Sequence, residues 1–381
     1  MIARSRPTWV LVTACILGAV IGAGPASAKL KTGLMDSLFS SGPAQRAQAF
    51  DDAVAARAKM VRLTVPWRAV ATSKPTSPSD PGDPAYNFAS IDAQVKDATA
   101  RGLTVLLTIN RAPDFAEQGE RPPGVAPGTW KPDPEAFGAF ARAVATRYSG
   151  TYGDLPRARF FQAWNEANLD IYLAPQYVGR KPVAAIHYRR MLNAFYHGVK
   201  RAQPTAKVVT TGTGPYGDPP GGHRTRPLVF WRRVLCLRGR RALKPAKCKQ
   251  KARFDILAHH PINTSGGPYR SAIHPDDAST PDFKLVRRTL RAAERSKRIL
   301  PRGQRRPLWA TEIWWESKPP DPCGVGLKKH ARWLRQSFRL LRRQGASAVF
   351  WLGLRDQKQT SDECGRATMQ SGLSFIDGSR K

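Results

Sequence analysis

Two carboxylates stand at the tips of apolar runs. FFQAWNEANL, residues 160–169, carries Glu166 directly after Trp164 and Asn165, and LWATEIWWES, residues 308–317, carries Glu312 just ahead of Trp314 and Trp315. A carboxylate delivered by a buried run is costly unless it is paired or used, because burial strips the water that solvates its charge. Two of them at one place suit cleavage of a glycosidic bond. One carboxyl gives a proton to the leaving oxygen, and the other attacks the anomeric carbon or activates water. Neighbouring indoles supply flat apolar platforms for the C–H faces of sugar rings.

The elements that must position them alternate regularly. Apolar segments read as strands over 33–36, 61–67, 103–109, 159–166, 207–213, 254–260, 307–313 and 348–354. Amphipathic segments between them read as helices over 43–59, 88–101, 134–148, 182–202, 227–235, 281–298 and 327–344, most with Pro near the first turn. Eight strands separated by seven helices predict an α/β fold, a (β/α)8 TIM barrel, over residues 29–381 as one domain. A doubly wound sheet would want a Gly-rich phosphate turn after the first strand, and no GxGxxG is found there. Long loops at 110–133, 214–226, 263–280, 318–326 and 355–371 follow strands, so they fall on the C-terminal face where such barrels build their sites. After the eighth strand the chain closes with SGLSFIDGSRK, which carries no amphipathic eighth helix.

AWNEANL and LWATEIWWES resemble the fourth- and seventh-strand motifs of the retaining (β/α)8 glycoside hydrolases of the cellulase-like clan. The flanking strands match in order, so the resemblance spans the chain after residue 28. It implies that Glu166 is the general acid/base and Glu312 the nucleophile, with the carboxyl groups about 5–5.5 Å apart. It further implies that Asn165 binds the sugar 2-hydroxyl and that Arg62, in MVRLTVPW, bonds the nucleophile and keeps it ionised. Trp351, in VFWLGLRD, would floor the subsite of the cleaved sugar. Read from composition alone, Arg62 could belong to a core ion pair, and Trp351 and Trp67 could be barrel packing. Asn110 ends the third strand, where it could reach a sugar hydroxyl or cap a turn. His260 follows His259 where the clan often has His-x-Tyr. Neighbouring strand residues face opposite ways, so His260 reads as a site histidine rather than a metal ligand. Ile262 stands where the Tyr is usual, with Tyr269 of the same loop as its substitute, and Ala167 stands where relatives often have Pro. No metal or organic cofactor is implied.

The rest of the sequence bounds where this chemistry operates. Residues 1–28 have the layout of a secretory signal peptide: Arg4 and Arg6, an apolar run over 9–23, and Ala26-Ser27-Ala28 as a cleavage site. The expected product is secreted, with no membrane span in its mature form. A lipoprotein reading of Cys15 is disfavoured because that residue comes early in the apolar run. The remaining cysteines pair most simply as Cys236–Cys248 and Cys323–Cys364, loop staples suited to an oxidising compartment. Lys and Arg number 62 against 28 Asp and Glu, a formal charge of +34. Such an excess fits a solvated basic surface, or an acidic polysaccharide or anionic cell-wall polymer as partner beside the carbohydrate substrate. Nucleic acid is not expected, since no zinc finger, recognition helix or RNP-type aromatic strand is found. The alternative from another class is a non-catalytic barrel that binds carbohydrate or an anionic wall polymer.

Overall fold

The computed structural model describes residues 30–263, 266–358 and 369–381. The expected signal peptide and Cys364 lie outside them. Eight parallel strands close into a barrel: β1 (Lys31–Met35), β2 (Met60–Pro66), β3 (Thr104–Asn110), β4 (Phe160–Ala163), β5 (Lys207–Thr213), β6 (Ile256–His259), β7 (Leu308–Ile313) and β8 (Ala346–Leu352). Each strand pairs with its sequence neighbours, and β8 closes on β1 through Lys31↔Ala348 to Met35↔Leu352. Between them run α1 (Pro43–Ala55), α2 (Ala89–Ala100), α3 (Pro134–Arg147), α4 (Ala184–Ala202), α5 (Pro227–Val234), α6 (Phe283–Arg295) and α7 (Leu327–Arg343). The (β/α)8 barrel expected from the alternating pattern is therefore the observed fold. Pro occupies the first turn of α1, α3 and α5, where its missing N–H costs no intrahelical bond.

Period-2 alternation splits the core into two layers. Met60, Leu106, Val209, Ile256, Ala258, Trp309, Ala348 and Phe350 form the inner cluster that plugs the lumen. Their neighbours, such as Val61, Leu107, Phe161 and Val349, face outward into a larger cluster shared with the helices. Gly33 makes the plug possible: a Cβ there would fall 2.3 Å from the Phe350 ring. The side chains above this plug are the ones the strands present at the C-terminal mouth.

Among the described residues no helix follows β8. A folded-back segment takes that place. Trp351 Nε1 donates to Ser371 O at 2.9 Å, Ser374 N to Leu354 O at 3.1 Å, and the buried Lys381 ammonium pairs with Asp356 at 2.6 Å. The Cys236–Cys248 disulfide is formed and closes a small hairpin after α5, Leu237–Arg238 against Lys244–Pro245. No helix among the described residues is long and apolar enough to cross a membrane.

Candidate active site

A polar layer lies directly above the apolar plug. Arg62 of β2 is 2% exposed and has five N–H donors to satisfy. Its Nε donates to Thr108 Oγ1 at 3.0 Å and to Gln162 Oε1 at 2.9 Å. Its Nη2 donates to Asn165 Oδ1 at 2.6 Å, and its Nη1 to Glu312 Oε2 at 3.0 Å. Gln162 ties the layer across the lumen by donating to Thr210 O at 3.0 Å and Thr311 Oγ1 at 3.3 Å. A buried guanidinium is tolerated only with such partners, and here one of them is an anion.

Glu166 reaches this layer through a contorted connection. β4 ends at Ala163, after which Trp164 has φ 75° and Glu166 φ 35°, both in the left-handed region that side chains seldom adopt. The turn is held from all sides: Trp164 N donates to Ile109 O at 2.9 Å, and Glu166 N to Gly212 O at 3.0 Å. The Trp164 indole is fully buried, packs against Phe137 at 5.3 Å, and donates to Tyr172 O at 2.8 Å. Strain of this kind survives only where its surroundings over-determine it. Its effect here is to swing the Glu166 carboxylate into the mouth instead of leaving it on the strand.

The two carboxylates meet at His260. Nδ1 of His260 lies 2.9 Å from Glu166 Oε1 and 3.7 Å from Glu312 Oε2. One donor atom from each of the three residues falls within 4.8 Å of the others. That spacing matches the close pair, about 5–5.5 Å, rather than the about 6.5–9.5 Å that leaves room for an attacking water between the groups. Burial pushes the Glu166 carboxyl up to about 7, partly offset by the Arg62 charge. Burial also drives His260 down to about 3, against the pull of Glu312. His260 is therefore neutral at pH 7, and its single proton is assigned to Nδ1, which faces two carboxylate oxygens. Its Nε2 has no hydrogen-bond partner and packs on Gly212, where a Cβ would fall 2.0 Å away.

Among the described residues these three side chains are also the one acid/imidazole cluster compact enough to hold a metal ion. Arg62 already sets a positive charge 3.0 Å from Glu312, and the His260 N–H points between the carboxylates. Both features suit a proton-transferring pair better than a cation.

The other expected site residues divide. Asn165 stands in the mouth, with its carbonyl oxygen spent on Arg62 and its amide N–H2 left for a ligand. Asn110 ends β3 two residues beyond Thr108, hence on the same lumen face, and is 8% exposed. Trp351 is not brought to the mouth. Phe350 takes the lumen side of β8, so Trp351 faces the opposite way, packing on Trp315 at 6.1 Å and His330 at 5.5 Å. Trp67 is likewise core, stacked on Phe140 at 5.3 Å. Trp314, two residues past Glu312, is half-buried.

Tyr269 is 58% exposed, whereas Ile262 is buried. The phenol in the site is Tyr172, from the loop after β4. Burial raises it to about 12, with Glu166 and Glu312 both adding to the rise, and the Arg111 guanidinium stacks on its ring at 5.0 Å. Nothing in its sequence context marks it, because a loop carries no periodicity to aim a side chain.

No protein-family profile and no curated protein sequence matches the chain. Solved structures with similar folds do exist. A family 39 glycoside hydrolase from Bacteroides cellulosilyticus WH2 gives a TM-score of 0.60 at 18% identity, over 93% of this chain and 62% of that one. A glucosidase from Croceicoccus marinus gives 0.57 at 14% identity, over 93% and 65%. A family 5, subfamily 18 protein from Streptomyces cattleya, in complex with Manβ1-4GlcNAc, gives 0.56 at 16%, over 93% and 78%. The chain thus spans less than two thirds of the first two. What it shares with these glycoside hydrolases is the closed (β/α)8 barrel.

Proposed function

We propose that the chain is a retaining glycoside hydrolase acting on the β-linked sugars of a poly- or oligosaccharide. The observation that carries this reading is the convergence of Glu166 and Glu312 on one imidazole nitrogen, with a carboxylate oxygen of each within 4.8 Å of the other and a buried Arg62 paired to Glu312. The likeness of the barrel to glycoside hydrolases supports it.

In the first step Glu312 attacks the anomeric carbon. The bond to the leaving oxygen breaks, and that oxygen takes the Glu166 proton. A carboxyl held near 7 is still substantially protonated at neutral pH, which this step requires. The product is a glycosyl ester of Glu312. Esterification removes the negative charge that had neutralised Arg62, so the Arg62 field now favours the ionised form of Glu166. Glu166 then takes a proton from water as that water displaces Glu312. Asn165 turns its N–H2 toward the sugar 2-hydroxyl because Arg62 holds its carbonyl. Trp314 is the aromatic we assign as sugar platform.

The anomeric configuration of the first-formed product, followed by NMR, tests the reading: retention is expected, and inversion would overturn it. The leader-like start and the disulfide favour a secreted enzyme, and the charge of +34 favours an anionic polysaccharide among its substrates.

A further inference from the structure

The outer wall of the barrel carries two cavities that meet at Arg302. The first, about 790 Å³, runs along the solvent side of α4 beside the segment that enters β6. Arg190, Lys249, Lys251, Arg253 and Arg302 line it. The second, about 480 Å³, lies under the turn that enters β7, and Arg295, Lys297 and Arg305 add their charges to the shared Arg302. Neither includes Arg62, Glu166 or Glu312.

The acids of these cavities are mostly committed. Glu294 is bonded to Arg291 at 2.6 Å and to the Arg306 N–H at 2.7 Å. Asp133 caps α3 and accepts from Gln118. Among the described residues the eight cations make no ion pair, whereas elsewhere on the surface Arg226, Arg232 and Arg101 are each matched by an aspartate. Eight cations without an ion pair, lining two neighbouring cavities that share Arg302, repel one another unless an anion enters.

The lining also says what kind of anion fits. It holds no Trp, Tyr or Phe on which a nucleobase could stack. It does offer Gln250 and Gln304, exposed amides suited to hydroxyl groups. We propose that this basic trough is a second carbohydrate site, distinct from the catalytic mouth, which holds a carboxylated polysaccharide strand against the flank of the barrel. The choice of a glycan as the polyanion rests on the glycosidase reading. The trough tethers the enzyme to its polymer while the mouth works on a reachable linkage.

The test is binding of the whole chain to a polyuronate oligomer, a neutral β-glucan oligomer of equal length and a single-stranded DNA of equal charge, measured by calorimetry at low and raised salt. The polyuronate is expected to bind, more weakly as salt rises, and the neutral glucan not to bind in the trough. A Lys249→Gln/Lys251→Gln/Arg302→Gln variant should bind the polyuronate at least about tenfold more weakly, with unchanged turnover of a small aryl glycoside. Lys297→Gln/Arg305→Gln, in the second cavity, provides an independent loss. Glu312→Gln should abolish turnover and leave polyuronate binding intact, which separates failure of the catalytic reading from failure of this one. Polyuronate affinity unaltered in both trough variants, or absent in the parent, overturns the proposal. So does DNA that binds as tightly through the same residues, which would make the trough a nucleic-acid surface.

Discussion

Nη1 of Arg62 donates to Oε2 of Glu312 at 3.0 Å, across 250 positions of sequence. The same guanidinium holds the carbonyl of Asn165, the neighbour of Glu166. One buried cation therefore pairs with one carboxylate and fixes the orientation of the residue beside the other. Removing it would leave Asn165 Oδ1 and Glu312 Oε2 without the guanidinium that donates to them.

Arg62→Lys keeps the charge and loses the planar fork that spans these partners. We expect a folded protein whose kcat is about a hundredfold lower. Arg62→Met should cost about 3–5 kcal/mol of stability as well, since it strands a carboxylate in a mostly buried place. Steady-state kinetics and thermal melts check both.

The Glu166 carboxyl, raised to about 7 by burial, should set the alkaline limb of the pH profile if it is the acid of the proposed mechanism. kcat/KM should fall about tenfold per pH unit above that value. Glu166→Gln should abolish this limb and retain glycosylation only with a leaving group that needs no proton. Stability follows the same sign. A raised carboxyl favours the folded state below its ordinary value of 4.5, and that contribution is lost as pH rises through about 7. Melting temperature should therefore depend less on pH in Glu166→Gln than in the parent.

Gly212→Ala would set a Cβ 2.0 Å from His260 Nε2 and 2.7 Å from Thr311 Oγ1. The imidazole must shift, taking its N–H off Glu166. An at least tenfold fall in kcat is expected, together with a moved alkaline limb, a readout that mere loosening of the barrel would not give.

Tyr172→Phe deletes a hydroxyl lying in the field of both carboxylates. The fold should persist, because the Trp164 indole bonds to the Tyr172 backbone oxygen. A fall in kcat of about ten- to a hundredfold with a smaller change in KM is expected. An unchanged kcat would show that this phenol plays no part.

Cys236→Ser frees a loop with a sequence separation of 12. A loss of about 2–3 kcal/mol in unfolding free energy is expected. Turnover of a small aryl glycoside should not change, since the hairpin lies away from the mouth.

Much of the fold was legible because strands and helices write their periods into the chain. Seven of the eight barrel strands fall within two residues of their expected bounds, and β4 is the exception. That strand stops at Ala163, short of the expected Glu166, and the reason is local: the Trp164–Glu166 link is left-handed and breaks the ladder. Trp351 and Tyr172 show the limit from either side. The expected role of Trp351 came from the family resemblance of VFWLGLRD, but the face it takes follows from which neighbour fills the lumen. Phe350 against Gly33 decides that.

The sequence by itself determined the alternation that closes a barrel, and the placing of Glu166 just beyond the fourth strand and of Glu312 at the end of the seventh. Spacing along a strand is a local property, and barrel closure converts it into position at the mouth. Only the tertiary structure decided that both carboxylates would lie beside one His260 N–H and that Tyr172 would enter from a loop, and it settled the expected Arg62–Glu312 bond against a core ion pair elsewhere. Those contacts join residues far apart in sequence, and burial by the whole fold sets the protonation of Glu166 and His260.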